Sequence, residues 1–433
     1  MDQRMKRELL EAVQAHRDWA THLLAGWVRC PSILGHEASA QMYIKECLDD
    51  MGLDVREEAV DNRKISSLPG YSPSLISYEN RPNIVGAFTP ARESTGRSLI
   101  VNGHVDVVSP EPVSLWSNPP FDPTIFTDDL GETWMQGRGA GDMKGGTVAC
   151  LWGLKALLSL GLSPTGAITI QSCIEEECTG NGTLSLLSSG ATATGCIIPE
   201  PFDQTILVEQ AGVLWFDVRV IGKTTHVLGT KQGINAIEKA WQIYRYLKVD
   251  LESPANRPEV LPKGYAEIVH PANLNLGVIE GGDWPSTVAG ECTMRLRMGI
   301  LPGTDCDSVM KKVEAVVQNT CAEDPWLADN PPEIAFRGFQ AEPSSFDVDS
   351  ELYRVLKQSH ETVHGRAPSH LHATCTTDVR FFNNYYEIPA TCYGPKAIAI
   401  HGVDERVSID SMEQVALVMA HLIANWCGVE EDE

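Results

Sequence analysis

Two hydrophobic periods alternate along the chain. Apolar residues recur at helical spacing from about Met5 to Trp27, which predicts a first helix ending before the Pro- and Gly-punctuated RCPSILGHE. A second helix is predicted over EASAQMYIKECLDDMG, with Gly52 at its end. Short β patterns follow in LDVREEAV, PNIVGAF and RSLIVNGHVDVV, then a helix over GGTVACLWGLKALLSLG and buried strands in AITIQSC and ATGCIIPEPF. This alternation predicts a sheet covered by helices on both faces.

Near Ala211 the period changes. VLWFDVRVIG alternates as a half-exposed strand does, with Leu214, Phe216, Val218 and Val220 on one face and Asp217 and Arg219 on the other. A helix over INAIEKAWQIYRYL, strands in ANLNLGVIEGG and GECTMRLRMGI, a helix over DCDSVMKKVEAVVQ and a strand in PPEIAFRGF complete a β-α-β-β-α-β order. That is the order of a split βαβ unit, able to fold as a small domain. The chain then returns to α/β patterning and closes with a helix over SMEQVALVMAHLIANW. The predicted fold is therefore α/β, a central sheet flanked by helices, interrupted by an inserted α+β, ferredoxin-like domain. Residues 1–210 and 339–433 form the two parts of the first domain, and residues 211–338 the insert.

Composition narrows the function classes. A formal net charge of −24 argues against nucleic acid and anionic membrane surfaces, and no apolar run approaches a membrane span. The charged amino terminus lacks a signal core, and the 12 cysteines form no Cys-x-x-Cys pair, so a cytoplasmic protein with reduced core thiols is expected.

Chemistry concentrates at strand ends. IEEEC places Glu175, Glu176 and Glu177 side by side in an apolar neighbourhood, where like charges repel and desolvation worsens the repulsion. A solvated rim or a bound dication would make them tolerable. VNGHVDVV puts His104 and Asp106 two apart on one strand face; GRGAGDMKGG presents Asp142 after a run of small residues; IIPEPF holds Glu200 between prolines; AIAIHGVDERV reads as an apolar strand closed by His401. Each alone fits a structural role as readily as a functional one. Together they offer mixed nitrogen and oxygen ligands without sulfur, which suits a pair of Zn²⁺ or similar divalent ions. Nucleotide binding is disfavoured, because neither phosphate-loop spacing fits the glycine-rich segment.

The ordered set His-x-Asp, Gly-Arg-Gly-x-x-Asp-Met-Lys-Gly-Gly, Glu-Glu, Pro-Glu-Pro, Gly-x-x-x-His and a late His resembles the dinuclear-zinc amidohydrolase and exopeptidase family of acetylornithine deacetylase, succinyl-diaminopimelate desuccinylase, aminoacylase and glutamate carboxypeptidase. The resemblance runs nearly end to end. It implies two divalent metals, Zn²⁺ with Co²⁺ or Mn²⁺ as alternatives, bridged by Asp142. His104 and Glu200 would complete one site, Glu177 and His401 the other. Asp106 would orient His104, and Glu176 would be the general base, while Glu175 would bind no metal.

The same resemblance makes the insert a lid and dimerisation domain of a homodimer, whose His226 reaches the partner's site. It marks Arg297, with Arg295 on the same strand face as the alternative, Ser286 and Gly394 as substrate-binding positions. Departures fall at WPST, where relatives carry Pro-Asn, at CTTD (Cys375–Asp378), where Gly-Gly-Thr-Asp is common, and at HVLGT, which lacks the usual proline. The implied activity is hydrolysis of an amide in a small N-acyl amino acid or dipeptide-like substrate. Hydrolysis of another C–N bond, as in a deaminase, and metallo-exopeptidase activity are the alternatives on the same fold. A non-catalytic descendant is disfavoured by the intact ligand set.

Overall fold

The computed structural model describes residues 3–90 and 95–431. The predicted first helix is two helices, α1 (Gln3–Ala15) and α2 (Arg17–Val28), broken at His16, followed by α3 (Ala38–Asp50). Strands β1 (Asp54–Ala59), β2 (Pro82–Phe88) and β3 (Leu99–His104) precede α4 (Gly146–Ser159), β4 (Ile168–Cys173) and β5 (Cys196–Ile198). The second pattern resolves into β6 (Gly212–Ile221), α5 (Ala236–Leu247), β7 (Leu274–Gly281), β8 (Glu291–Ile300), α6 (Cys306–Ala322) and β9 (Glu333–Ala341). Helix α7 (Glu351–His364), strand β10 (Ala390–Cys392) and helix α8 (Ile409–Trp426) return to the first sheet.

That sheet has six strands in the order β1-β2-β4-β3-β5-β10. Strands β4, β3, β5 and β10 are mutually parallel, while β1 and β2 run antiparallel at one edge. In the parallel register His104 lies opposite Cys173 and Val101 opposite Ile197, so three neighbouring strands deliver their following residues to one edge. Ligands of open α/β sheets bind at that carboxyl edge. Every residue of β3 is buried, as a strand covered on both faces requires. Helix α4 is buried almost all round and packs against α8 on one sheet face.

The second sheet is four-stranded, in the order β7-β8-β6-β9, and antiparallel. Leu214, Phe216, Val218 and Val220 turn into a separate core shared with α5 and α6, as the alternation predicts. The opposite face of β6 carries Val213, Trp215 and Asp217. Strand β9 continues to Ala341, three residues past the expected boundary at 338, because Val213 still pairs with Ala341.

Candidate active site

The site is assembled where β3, β4 and β5 end. His104, the last residue of β3, is 2% exposed. Its Nδ1 lies 2.8 Å from the backbone carbonyl of Asp106, an acceptor, so Nδ1 carries a proton and Nε2 is the ring nitrogen turned to the cluster. Nε2 stands 3.1 Å from Asp142 Oδ1, 3.9 Å from Glu176 Oε2 and 4.0 Å from Glu200 Oε1. The Asp106 carboxylate lies 3.8 Å from Nδ1 and accepts the backbone N–H groups of Glu176 and Glu177, each at 3.1 Å. Asp106 orients the histidine with its main chain and the glutamate loop with its side chain.

The three glutamates part company just beyond β4. Glu175 takes a positive φ of 63° and is fully buried, pairing with Arg81 at 2.6 Å and accepting from Tyr78 and Thr179, each at 2.9 Å. Arg81 also binds Glu37, so this carboxylate belongs to a buried ion network. Glu176 and Glu177 face the cluster around His104.

Asp142 lies between two imidazoles, with Oδ2 at 3.3 Å from His401 Nε2. His401 in turn is 3.1 Å from the Glu177 carboxylate. The predicted strand before His401 is only Ala397–Ile398; the histidine occupies a turn at φ 61°, half-exposed, which aims its ring back at Asp142. The Asp142 loop is fastened by Glu405, whose Oε1 accepts the N–H groups of Gly139, Gly141 and Asp142 at 2.9–3.0 Å while its other oxygen binds Arg138. Lys144 is fully buried and donates to the carbonyls of Trp27 and Cys30, each at 3.1 Å. Sequence reasoning missed the roles of Glu405, Arg138 and Lys144, although all three stand inside the segments that carry the motifs.

Electrostatically the cluster is short of positive charge. Burial pushes Glu176 and Glu200 well above the usual carboxylate range, and neighbouring acids add to it. Burial would also raise Asp142, but hydrogen bonds from His104 and His401 outweigh it and hold this carboxyl far below its ordinary value. Desolvation opposes the charged form of His401, yet Glu177 and Asp142 raise it to about 11. Among the described residues no lysine or arginine forms an ion pair with Asp142, Glu176, Glu177 or Glu200, so protons on imidazoles are their only near counter-charge. Donor atoms of His104, Glu176 and Glu200 lie within 4.8 Å of one another, as do those of His104, Asp142 and Glu177. Convergent nitrogen and oxygen donors with too little positive charge fit divalent cations well.

A cavity of about 670 Å³ opens from this cluster toward the second sheet, lined by Glu176, Glu177 and His401 on one side. Arg297 lines it too, half-buried and held by Asn273 and by the carbonyl of Thr374 at 3.0 Å. Arg295 is on the same wall but exposed, paired with Glu280 at 3.2 Å. Cys375 and Thr376 of the CTTD segment also line the cavity. Of the residues expected to meet substrate, Gly394, Ser286 and His226 do not line it. Gly394 is buried, and a Cβ there would stand 2.3 Å from the carbonyl of Glu200, so its bareness lets two backbones meet. His226 and Ser286 are exposed neighbours on the second unit, where Val227 N–H donates to the Ser286 carbonyl.

A sheet with a two-histidine, multi-carboxylate cluster at its carboxyl edge and a cavity against a second sheet describes a class of metal-dependent hydrolases. The family model of Peptidase family M20/M25/M40 matches residues 100–425, and the chain belongs to that family. It is 26% identical over 416 residues to the N-formyl-4-amino-5-aminomethyl-2-methylpyrimidine deformylase of Halalkalibacterium halodurans, covering 90% of this chain and 89% of that one. It is 27% identical over 418 residues to the succinyl-diaminopimelate desuccinylase of a Methylobacterium species, covering 93% and 94%. Among solved structures, a di-peptidase of Saccharomyces cerevisiae superposes with a TM-score of 0.75 at 14% identity, covering 98% of both chains. That last likeness concerns the fold.

Proposed function

We propose that the protein hydrolyses the amide bond of a small N-acyl amine or amino acid, with N-formyl compounds the first to test. The observation that carries this reading is Glu176, buried beside the His104–Asp142–His401 cluster yet open to the cavity. His104, Asp142 and Glu200 would hold one divalent cation, Glu177, His401 and Asp142 a second; Zn²⁺ suits these donors. When bound, such cations supply Lewis acidity toward water and an amide carbonyl. Glu176 accepts a proton from the attacking water and delivers it to the departing nitrogen, so one carboxylate serves both halves of the reaction. The cluster's desolvated position keeps the carboxylate basic enough for that return. The relatives named for removing formyl and succinyl groups support the acyl-transfer chemistry.

The second unit acts as a lid and dimerisation domain. Its His226, exposed in its own chain, is placed to serve the site of a partner in a homodimer. All 12 cysteines are unpaired, which agrees with a reducing, cytoplasmic setting.

The test is a hydrolysis screen over N-formyl, N-acetyl and N-succinyl amines and amino acids with metal analysis. Glu176→Ala is expected to keep both metals and lose about 10²–10⁴-fold in kcat; loss of metal instead would make Glu176 a ligand. His226→Ala mixed with Glu176→Ala is expected to regain turnover that neither variant has alone, and failure to regain it would rule out the trans-subunit role.

A further inference from the structure

The far wall of the cavity is one face of the second sheet, and a distortion in that sheet gives it a specific shape. The pairing of β6 with β9 slips between Leu214 and Phe216, opposite a Gly338 that sits at φ 67°. Bulges of this kind re-aim side chains beside active sites. A Cβ on Gly338 would lie 2.7 Å from Trp215 Cε3, so the missing side chain is what admits the indole. Trp215 and Phe339 meet edge to face with ring centroids 5.2 Å apart, and both line the cavity.

Arg337, two residues before Phe339, lines the same wall and is exposed. Its acidic neighbour there is Asp217, which also feels Arg295. Arg295 is already paired with Glu280, so the two guanidiniums at this end are matched by two carboxylates and Arg337 shares only Asp217. The corner is fixed to the first domain, since Gly338 N–H donates to the Pro73 carbonyl at 3.1 Å and Gln340 N–H to Ser72 at 3.0 Å. Ser72 also pairs with Asn181, which binds the Tyr78 hydroxyl held by Glu175. Wall and glutamate loop therefore share one hydrogen-bonded frame.

We propose that this corner selects the non-reacting part of the substrate: a flat, unsaturated ring packed on Trp215 and Phe339, with a carboxylate beyond it received by Arg337. Edge-on and stacked aromatic contacts favour a ring over a flexible chain of equal area. A planar guanidinium matches a carboxylate in two-point contact. A single guanidinium not held in a salt bridge among the described residues, Arg337, suits a carboxylate better than a phosphate dianion. The inference rests on the amidohydrolase reading, and it adds the substrate's shape and charge.

The experiment compares three amines and their N-formyl derivatives: para-aminomethylbenzoate (ring and acid), benzylamine (ring alone) and ε-aminocaproate (acid alone). Binding of the free amines to the metal-loaded protein is measured by calorimetry, and kcat/KM is measured for the formamides. The ring-acid is expected to bind at least about tenfold more tightly than either partial probe. Arg337→Gln should remove the advantage over benzylamine, and Trp215→Ala, or the bulkier Trp215→Leu if alanine unfolds the sheet, the advantage over aminocaproate. Equal binding of the three amines, or tighter binding of a phosphonate analogue, overturns the proposal whether or not the formamides are cleaved. Selective binding of the amines without cleavage of their N-formyl, N-acetyl or N-succinyl derivatives would uphold the corner and refute the amidohydrolase reading.

Discussion

At the scale of residues, three adjacent glutamates have three fates, and backbone conformation decides among them. The positive φ of Glu175 turns its carboxylate into the Arg81 network, while the next two face the cluster. The sequence exposed the repulsion among them and the ligand types around them. It could not show which oxygen of Asp106 does what, because main-chain and side-chain acceptors of one residue leave the same letter. That difference is testable. In Asp106→Ala the His104 bond to the main-chain carbonyl survives, whereas two N–H groups of the glutamate loop lose their acceptor. Metal titration is expected to show about 10–100-fold weaker binding, chiefly at the site completed by Glu177. An equal loss at both sites would return Asp106 to the role of histidine orienter. Glu405→Gln breaks a buried pair with Arg138 and weakens the collar around Asp142; a loss of about 3–5 kcal/mol is expected in unfolding measurements.

Elements explain why residues so distant in sequence meet. Parallel β3, β4 and β5 end at one edge, and their order was not readable from the hydrophobic pattern, since periodicity marks strands but not neighbours. The β-α-β-β-α-β order of the insert was legible because its strands have one wet and one dry face. His401 was misjudged as a strand end for the converse reason: the apolar run AIAI is strand only over Ala397–Ile398 and then turns, with both isoleucines more than a third exposed. The segment Pro199–Glu200 is gripped between two glycines. A Cβ on Gly146 would stand 1.8 Å from the Pro199 carbonyl, and one on Gly394 2.4 Å from the same atom. Gly146→Ala is therefore expected to displace Glu200 and lower both Tm and metal content. Unchanged metal content in a folded Gly146→Ala protein would show that the grip is not what places Glu200.

At the scale of the whole molecule, burial of unpaired imidazoles sets a response to acid. His421 on α8 is 3% exposed, its Nδ1 has no hydrogen-bond partner among the described residues, and burial with the charge of Lys6 lowers it to about 4. A folded pKa below the unfolded ~6.5 means the unfolded chain binds the proton first as pH falls. The associated stability is whole above ~6.5 and is lost between there and about 4, at most roughly 3 kcal/mol for this one group. With metals removed by chelator, His421→Leu should flatten the fall of Tm across that window; an unchanged slope would place the acid sensitivity elsewhere. Chelation itself should lower Tm at neutral pH, because cations bound to the folded cluster stabilise it by mass action.

The second sheet closes over its own hydrophobic centre, distinct from the one beneath the carboxylates. Trp215 and Phe339 stand on the other face of that sheet, so side chains there can change without repacking its centre. The same wall is tied through Ser72 and Asn181 to the loop of glutamates, so a graft of the module between relatives is expected to carry its preferences across only when those ties travel with it.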